Sequence, residues 1–270
     1  MKTRILTAAV LIPLLFVVVL LLPEIVTAVI MGLMVAAASY ELLTVTGLVK
    51  HVRLNFYSAA MSFGVTMWSY NGMPYVWGLL GLVAFMSVLF TEMMRNHIKI
   101  TMKMVAMCLV AGVLIPFLLS SVVRIHVGRM GRSFIMVPFV MALMPDTGAY
   151  FIGTFFGKHK LAPVLSPKKT VEGLVGGILA GILSMVIYAL ILNLGFGLKV
   201  NYLYALVFGL VGALAATFGD LCFSVIKRQI GIKDYGSVFP GHGGILDRFD
   251  SMVIVAPLAE ALLLLIPFAG

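Results

Sequence analysis

Four aspartates in the second half of this chain, each close to lysines, arginines or glycines, have the types and spacing for chemistry on phosphate esters. The richest stretch is Lys233-Asp234-Tyr235-Gly236-Ser237-Val238-Phe239-Pro240-Gly241-His242-Gly243-Gly244-Ile245-Leu246-Asp247-Arg248-Phe249-Asp250. Glycines around His242 allow a backbone to approach an anionic ligand closely. In a continuous helix, Asp247 and Asp250 share one face at i, i+3. Carboxylate oxygens of this kind suit a hard cation such as Mg²⁺, which takes one or two carboxylates and completes its shell with substrate phosphates and water. A glycine-rich loop alone would say little. This one opens a helix between a Lys-Asp pair and an Asp-Arg-Phe-Asp run.

Three further groups of residues carry the same chemistry. Asp220, Ser224 and Lys227 fall at i, i+4 and i+7, so a carboxylate, a hydroxyl and an ammonium line one stripe, continued by Arg228. With the span expected to end at residue 226, Asp220 lies roughly 9 Å inside it at about 1.5 Å per residue. That depth calls for a cavity or a cation. Asp146 sits near the middle of another apolar run, in Met-Pro-Asp-Thr-Gly-Ala-Tyr, where Pro145 removes a backbone donor and loosens the preceding turn. An ionised group in hydrocarbon needs a partner or a water-filled cavity, and Asp146 shares a face with Tyr150, Gly153 and Gly157. The plainer reading is a structural Asp bonded to a neighbouring helix. We expect instead a polar cavity, open to the cytoplasm, that reaches Asp146. The third group is Ser166-Pro167-Lys168-Lys169-Thr170-Val171-Glu172-Gly173. Either Ser before Pro or Thr170 starts a helix there, and Lys168 and Lys169 beside a helix N-terminus make a phosphate cradle. Two lysines in such a loop also fit simple membrane topology. Glu172 has three open readings: compensating Lys168, completing a cap, or reaching a metal. No Cys-x-x-Cys, His-x-x-x-His, Gly-x-Ser-x-Gly or Walker A spacing is present, and His51, His97, His126 and His159 read as ordinary loop or interface residues.

These groups must be positioned by membrane helices. A chain of 270 residues that is 62% hydrophobic and 11% charged cannot bury so much apolar surface in a water-soluble core. The expected fold is an all-α polytopic integral membrane protein with about nine transmembrane helices, near residues 5–22, 25–46, 54–71, 74–93, 103–122, 134–156, 171–195, 202–226 and 246–268. The third is the weakest, diluted by Asn55, Ser58, Ser62, Thr66 and Ser69. A cytoplasmic N-terminus places fifteen Lys and Arg inside against four outside (Arg124, Arg129, Arg132 and Lys199), as the positive-inside rule requires. The net charge of +9 is thus mostly topology, with no nucleic-acid patch needed. The first run could serve as a secretory signal, but its apolar core is longer than a signal needs. Cys108 and Cys222 fall inside spans and form neither a disulfide framework nor a metal site.

One membrane domain is expected, with residues 1–135 as a scaffold of about five spans and 136–270 as a catalytic region of about four, because the second part holds seven of the ten acids. Gly173, Gly177 and Gly181 line one helical face for close packing, within the protomer or at a homodimer interface.

The segment from Ser224 to Asp250, with Lys227-Arg228, Lys233-Asp234, Gly236, Pro240, His242-Gly243-Gly244 and Asp247-Arg248-Phe249-Asp250 in register, resembles the signature of the phosphatidate cytidylyltransferases. Asp146 with Tyr150 and Gly153, and Ser166 to Gly173, resemble that family's other recurrent elements, so the likeness covers roughly residues 140–255. It implies a Mg²⁺-dependent reaction of CTP with phosphatidate, a membrane lipid, to give CDP-diacylglycerol and pyrophosphate at the cytoplasmic face of a bacterial inner membrane. Under this resemblance Asp220 and Asp247 are expected to hold metal, with Asp146 and Asp250 as further ligands or supporting carboxylates. Lys168, Lys169, Lys227, Arg228, Lys233 and Arg248 are expected to meet phosphate, and Ser224, His242, Gly243 and Gly244 to line the substrate site. The rival readings are another membrane phosphotransferase acting on a lipid phosphate or alcohol, and an ion-coupled transporter. The Asp-Gly-x-x-Ala-Arg run of CDP-alcohol phosphotransferases is absent, and a transporter would not need this concentration of cations beside a glycine loop.

Overall fold

A computed structural model of the chain describes residues 17–72, 74–128, 131–236 and 243–269. Its helices are α1 (Glu24–Val45), α2 (Val52–Asn71), α3 (Tyr75–Arg95), α4 (Met102–Val127), α5 (Gly131–Phe156), α6 (Val171–Phe196), α7 (Tyr202–Ile230), α8 (Leu246–Phe249) and α9 (Met252–Leu265). A short antiparallel hairpin, β1 (Lys160–Ala162) and β2 (Ser166–Thr170), precedes α6.

Six of these helices, α1 and α3 to α7, are long and apolar enough to cross a membrane, which makes the chain an all-α membrane protein apart from the hairpin. The first expected span falls mostly outside the described residues, and only a π-helical turn, Val17–Leu21, is seen of it. α2 forms over the weak third span. Its Asn55, Ser58, Ser62 and Thr66 are buried on one stripe, where the hydroxyls of Ser58, Ser62 and Thr66 donate to the carbonyls four residues earlier at 2.9, 2.9 and 3.0 Å. Ser62 also reaches Ala111 O at 3.1 Å, in the π turn of α4. Polarity that lowers hydropathy is here absorbed by carbonyls, so it costs the span little.

Local signals set the helix ends. Thr101, Thr170 and Asn201 cap α4, α6 and α7 by accepting backbone N–H groups, and glycines at positive φ, Gly197 and Gly231, stop α6 and α7. α7 runs to Ile230, four residues beyond the expected boundary, because Lys227 and Arg228 carry the helix past the apolar run. The last expected span is divided: α8 ends at Phe249 and α9 begins at Met252. The Ser251 N–H donates to Asp250 Oδ1 at 2.8 Å in that break, so Asp247 belongs to α8 and Asp250 lies past its end, and the one continuous helix that the i, i+3 reading needs is not formed.

The described residues fall into two compact units. The first comprises those of 1–128 with 232–249, and the second those of 129–231 with 250–270. In the first, α1 packs on α2 and also meets α8. In the second, α5, α6, α7 and α9 pack together. There the glycine stripe of α6 serves internal contact: a Cβ on Gly173, Gly177 or Gly181 would lie 2.9 Å from Ala149 O, Pro145 O or Gly209 O. The stripe therefore joins α6 to α5 and α7, and carries no argument for a homodimer. The opposite face of α6 presents Leu179, Leu183, Ile187 and Leu194, all exposed, as a lipid-facing surface does.

Candidate active site

The second unit contains a cavity of about 480 Å³. α5 supplies Asp146, Tyr150, Gly153 and Thr154 to its wall; the hairpin supplies Lys160, Lys168 and Lys169; Thr170 and Gly173 come from the start of α6, and Thr217 and Asp220 from α7. Asp146 thus lines a cavity, beside the ammonium groups of Lys160, Lys168 and Lys169.

The lysines are placed by the hairpin. Ser166-Pro167-Lys168-Lys169 form strand β2, and Thr170 starts α6, with its Oγ1 accepting the Gly173 N–H at 3.1 Å. Of the two expected helix starts, Thr170 is the one used. Close contact at Gly153 lets α5 lie against this corner: a Cβ there would sit 3.0 Å from Thr170 Oγ1. Glu172 is engaged at a contact outside the three expected readings. It accepts N–H groups from Lys158 at 3.1 Å and His159 at 3.2 Å and meets His159 Nδ1 at 2.6 Å, tying the turn after α5 to the start of α6.

Across the cavity Lys169 Nζ lies 2.5 Å from Asp220 Oδ2, both side chains about one quarter exposed. One turn further towards the C-terminal end of α7, Ser224 is buried and Lys227 Nζ lies 3.7 Å from Asp250 Oδ2, a pair nearly closed to solvent. Arg228 Nε donates to Leu165 O at 3.3 Å and so holds the hairpin turn against α7. Asp250 is within electrostatic reach of Asp220, Lys227 and Asp146. Three of the four expected acids therefore gather in one unit, interleaved with four of the six expected cations, Lys168, Lys169, Lys227 and Arg228.

Among the described residues no group of three or more His, Cys, Asp or Glu sits at metal-holding distance. The donor set still fits Mg²⁺. It is all oxygen, and a cation of this type needs only one or two carboxylates when phosphates and water fill the rest of its shell. Zinc would want sulfur or imidazole, which this wall lacks.

Asp247, Arg248, Lys233, Gly243 and Gly244 belong to the first unit, and His242 lies outside the described residues. Asp247 is buried, and its Oδ2 accepts the N–H of Tyr235 at 2.7 Å and of Gly244 at 3.0 Å. Gly243 adopts φ +82°, a conformation glycine reaches without strain. A residue absent from the sequence reading joins this arrangement: Glu41 of α1 accepts the Leu246 N–H at 3.1 Å. The signal was there, since Glu41 is an acid well inside an apolar span, the criterion that singled out Asp146.

A profile described as "Cytidylyltransferase family" matches residues 2–266. Similar proteins include the phosphatidate cytidylyltransferases of Staphylococcus saprophyticus subsp. saprophyticus and Staphylococcus epidermidis, each 38% identical over 156 residues, and that of Staphylococcus aureus, 39% identical over the same length. Each alignment covers 55% of this chain and 58% of the relative, so the chain spans somewhat over half the length of the curated relatives it matches.

Proposed function

Because the chain belongs to the cytidylyltransferase family, we propose that it transfers the CMP unit of CTP to phosphatidate, giving CDP-diacylglycerol and pyrophosphate. The observation that carries this reading is the Lys169–Asp220 pair on the wall of the cavity, with Lys160, Lys168 and Asp146 beside it. An enzyme that joins two polyanions needs neighbouring groups of both signs, one for the cation and one for the phosphates.

An oxygen of the lipid phosphate attacks the α-phosphorus of CTP. The bond from that phosphorus to the bridging oxygen of the β-phosphate breaks, and pyrophosphate leaves with the electron pair. The nucleophile is already anionic, so no serine, cysteine or general base has to be activated. The work is charge neutralisation and alignment. Asp220, supported by Asp146 and Asp250, would hold Mg²⁺, which neutralises phosphate charge when bound. Lys169, exchanging Asp220 for phosphate, acts with Lys168 and Lys160 on the nucleotide or lipid phosphate. Lys227 pairs with Asp250 and would offset its charge. The roles that the signature implies for Asp247, Arg248, Lys233, Ser224, Arg228 and the glycines about His242 are part of the same proposal.

The proposed setting is a bacterial inner membrane crossed about nine times, with the N-terminus and the cavity on the cytoplasmic side; the segregation of fifteen cations from four supports it. The direct test incubates the purified protein with CTP, phosphatidate and Mg²⁺. Equal amounts of pyrophosphate and a cytidine-bearing lipid are expected. Turnover of CTP without a lipid product, or no turnover with any lipid phosphate, overturns the reading.

A further inference from the structure

Glu41 is a carboxylate only 7% exposed, set in a helix otherwise made of apolar and small residues with Glu24 as its one other acid. A buried carboxylate is retained at a cost in desolvation, and the surroundings show what it does there. Its Oε2 accepts the N–H of Leu246, the first residue of α8 and 205 positions along the chain. Two glycines are shaped around it. A Cβ on Gly236 would lie 2.7 Å from the Glu41 carboxyl carbon, and one on Gly244 would lie 2.5 Å from Oε2. A side chain at either position would displace the Glu41 carboxylate, and one on Gly244 would also lie 2.7 Å from the Gly236 backbone nitrogen, so the two glycines leave the room that the carboxylate occupies.

Asp247 completes the arrangement from the other side. Its Oδ2 takes the N–H groups of Tyr235, on the leg that enters the glycine loop, and of Gly244, on the leg that leaves it. Two carboxylates therefore clasp the feet of the loop, one intrinsic to it and one delivered by α1. Leu246 and Asp247 are the first two residues of α8, so Glu41 anchors the backbone one residue before the Asp247 carboxylate.

We infer that Glu41 is a positioning residue for the transfer reaction: it fixes the feet of the glycine loop and, through Leu246, the orientation of the Asp247 carboxylate. The inference rests on the proposed role of Asp247 in turnover. Glu41 itself touches no substrate. What it requires at this position is a hydrogen-bond acceptor of the right length, so Gln preserves the function and Ala or Asp does not.

The test uses the full chain in lipid nanodiscs. Hydrogen exchange is read at the amides of 235–236 and 243–247, together with steady-state kinetics for wild type, Glu41→Gln, Glu41→Ala and Glu41→Asp. Glu41→Ala and Glu41→Asp are expected to speed exchange at those amides about tenfold or more, the loss of one buried hydrogen bond, without changing exchange in α5. They are expected to raise the Mg²⁺ concentration for half-maximal turnover by a similar factor and leave KM for phosphatidate within about twofold. Glu41→Gln is expected to stay close to wild type in both readouts. Unchanged exchange at the loop feet in Glu41→Ala, an equal rise throughout the protein, or unchanged Mg²⁺ dependence overturns the inference. A wild type that makes no cytidine-bearing lipid overturns the functional reading instead, while the exchange data still decide whether Glu41 holds the loop. Gly236→Ala gives an independent check, because its defect is expected to shrink in a Glu41→Ala background where the clashing carboxylate is gone.

Discussion

Lys169 of the hairpin and Asp220 of α7 form an ion pair at 2.5 Å across the cavity, linking the loop that leads into α6 with the middle of the longest helix. Each is the other's neutraliser, and each has the charge that a metal–nucleotide complex would replace. Asp220→Asn is expected to lower turnover about a hundredfold or more, the scale seen when one preorganised electrostatic contact to a transferring group is lost. Lys169→Met is expected to act mainly on KM for CTP. Pyrophosphate release at saturating and limiting CTP separates the two, and full Mg²⁺-dependent activity in Asp220→Asn would rule out a metal role for that carboxylate.

Lys227 and Asp250 form a second pair, at 3.7 Å and nearly closed to solvent. Removing only the lysine leaves a buried charge unbalanced, whereas removing both leaves none. Lys227→Met is therefore expected to lower the unfolding temperature in detergent more than Lys227→Met with Asp250→Asn does. A double-mutant cycle should give a coupling of about 1 to 3 kcal/mol; additive effects would mean the pair contributes nothing to folding.

Thr170 caps α6 through Gly173 and lies against Gly153. Thr170→Ala is expected to cost about 1 kcal/mol of stability, the usual loss of an N-cap. Thr170→Ser keeps the acceptor and should recover most of it. Thermal unfolding of the two variants reads the difference directly.

Gly177 approaches Pro145 O so closely that a Cβ would lie 2.9 Å away, and Asp146 follows Pro145 in the chain. Gly177→Ala is expected to push α5 from α6, with about 1 to 3 kcal/mol of destabilisation and a fall in turnover larger than stability alone explains. Gly195→Ala, where a Cβ would meet nothing within 4 Å, is the control expected to leave both unchanged.

The proposed orientation is tested by labelling. A cysteine introduced as Lys199→Cys should react with an impermeant maleimide added to intact cells, and one introduced as Lys99→Cys only after permeabilisation. The opposite pattern would invert the topology.

Much of this protein was legible without coordinates, and the legible part is local. Hydropathy summed over about 20 residues marks a span whatever its neighbours, so α1 and α3 to α7 lie close to where the apolar runs put them. The stripe Asp220–Ser224–Lys227 needs only an unbroken helix, and α7 provides one. Thr170 signals its cap by residue type, and the signature around Asp247 marks the family by spacing. What only the tertiary structure decided is partnership. Which lysine meets which aspartate, where Glu172 spends its carboxylate, whether the α6 glycines meet their own unit or another copy, and that Glu41 reaches residue 246 all depend on groups up to 205 positions apart. Side-chain spacing along one helix defines a face, but the charges and backbone donors that face it come from other helices. The break at Asp250 and Ser251 belongs to the same class, since only the structure shows that α8 stops at Phe249 and that the Ser251 N–H donates to Asp250 Oδ1 before α9 begins.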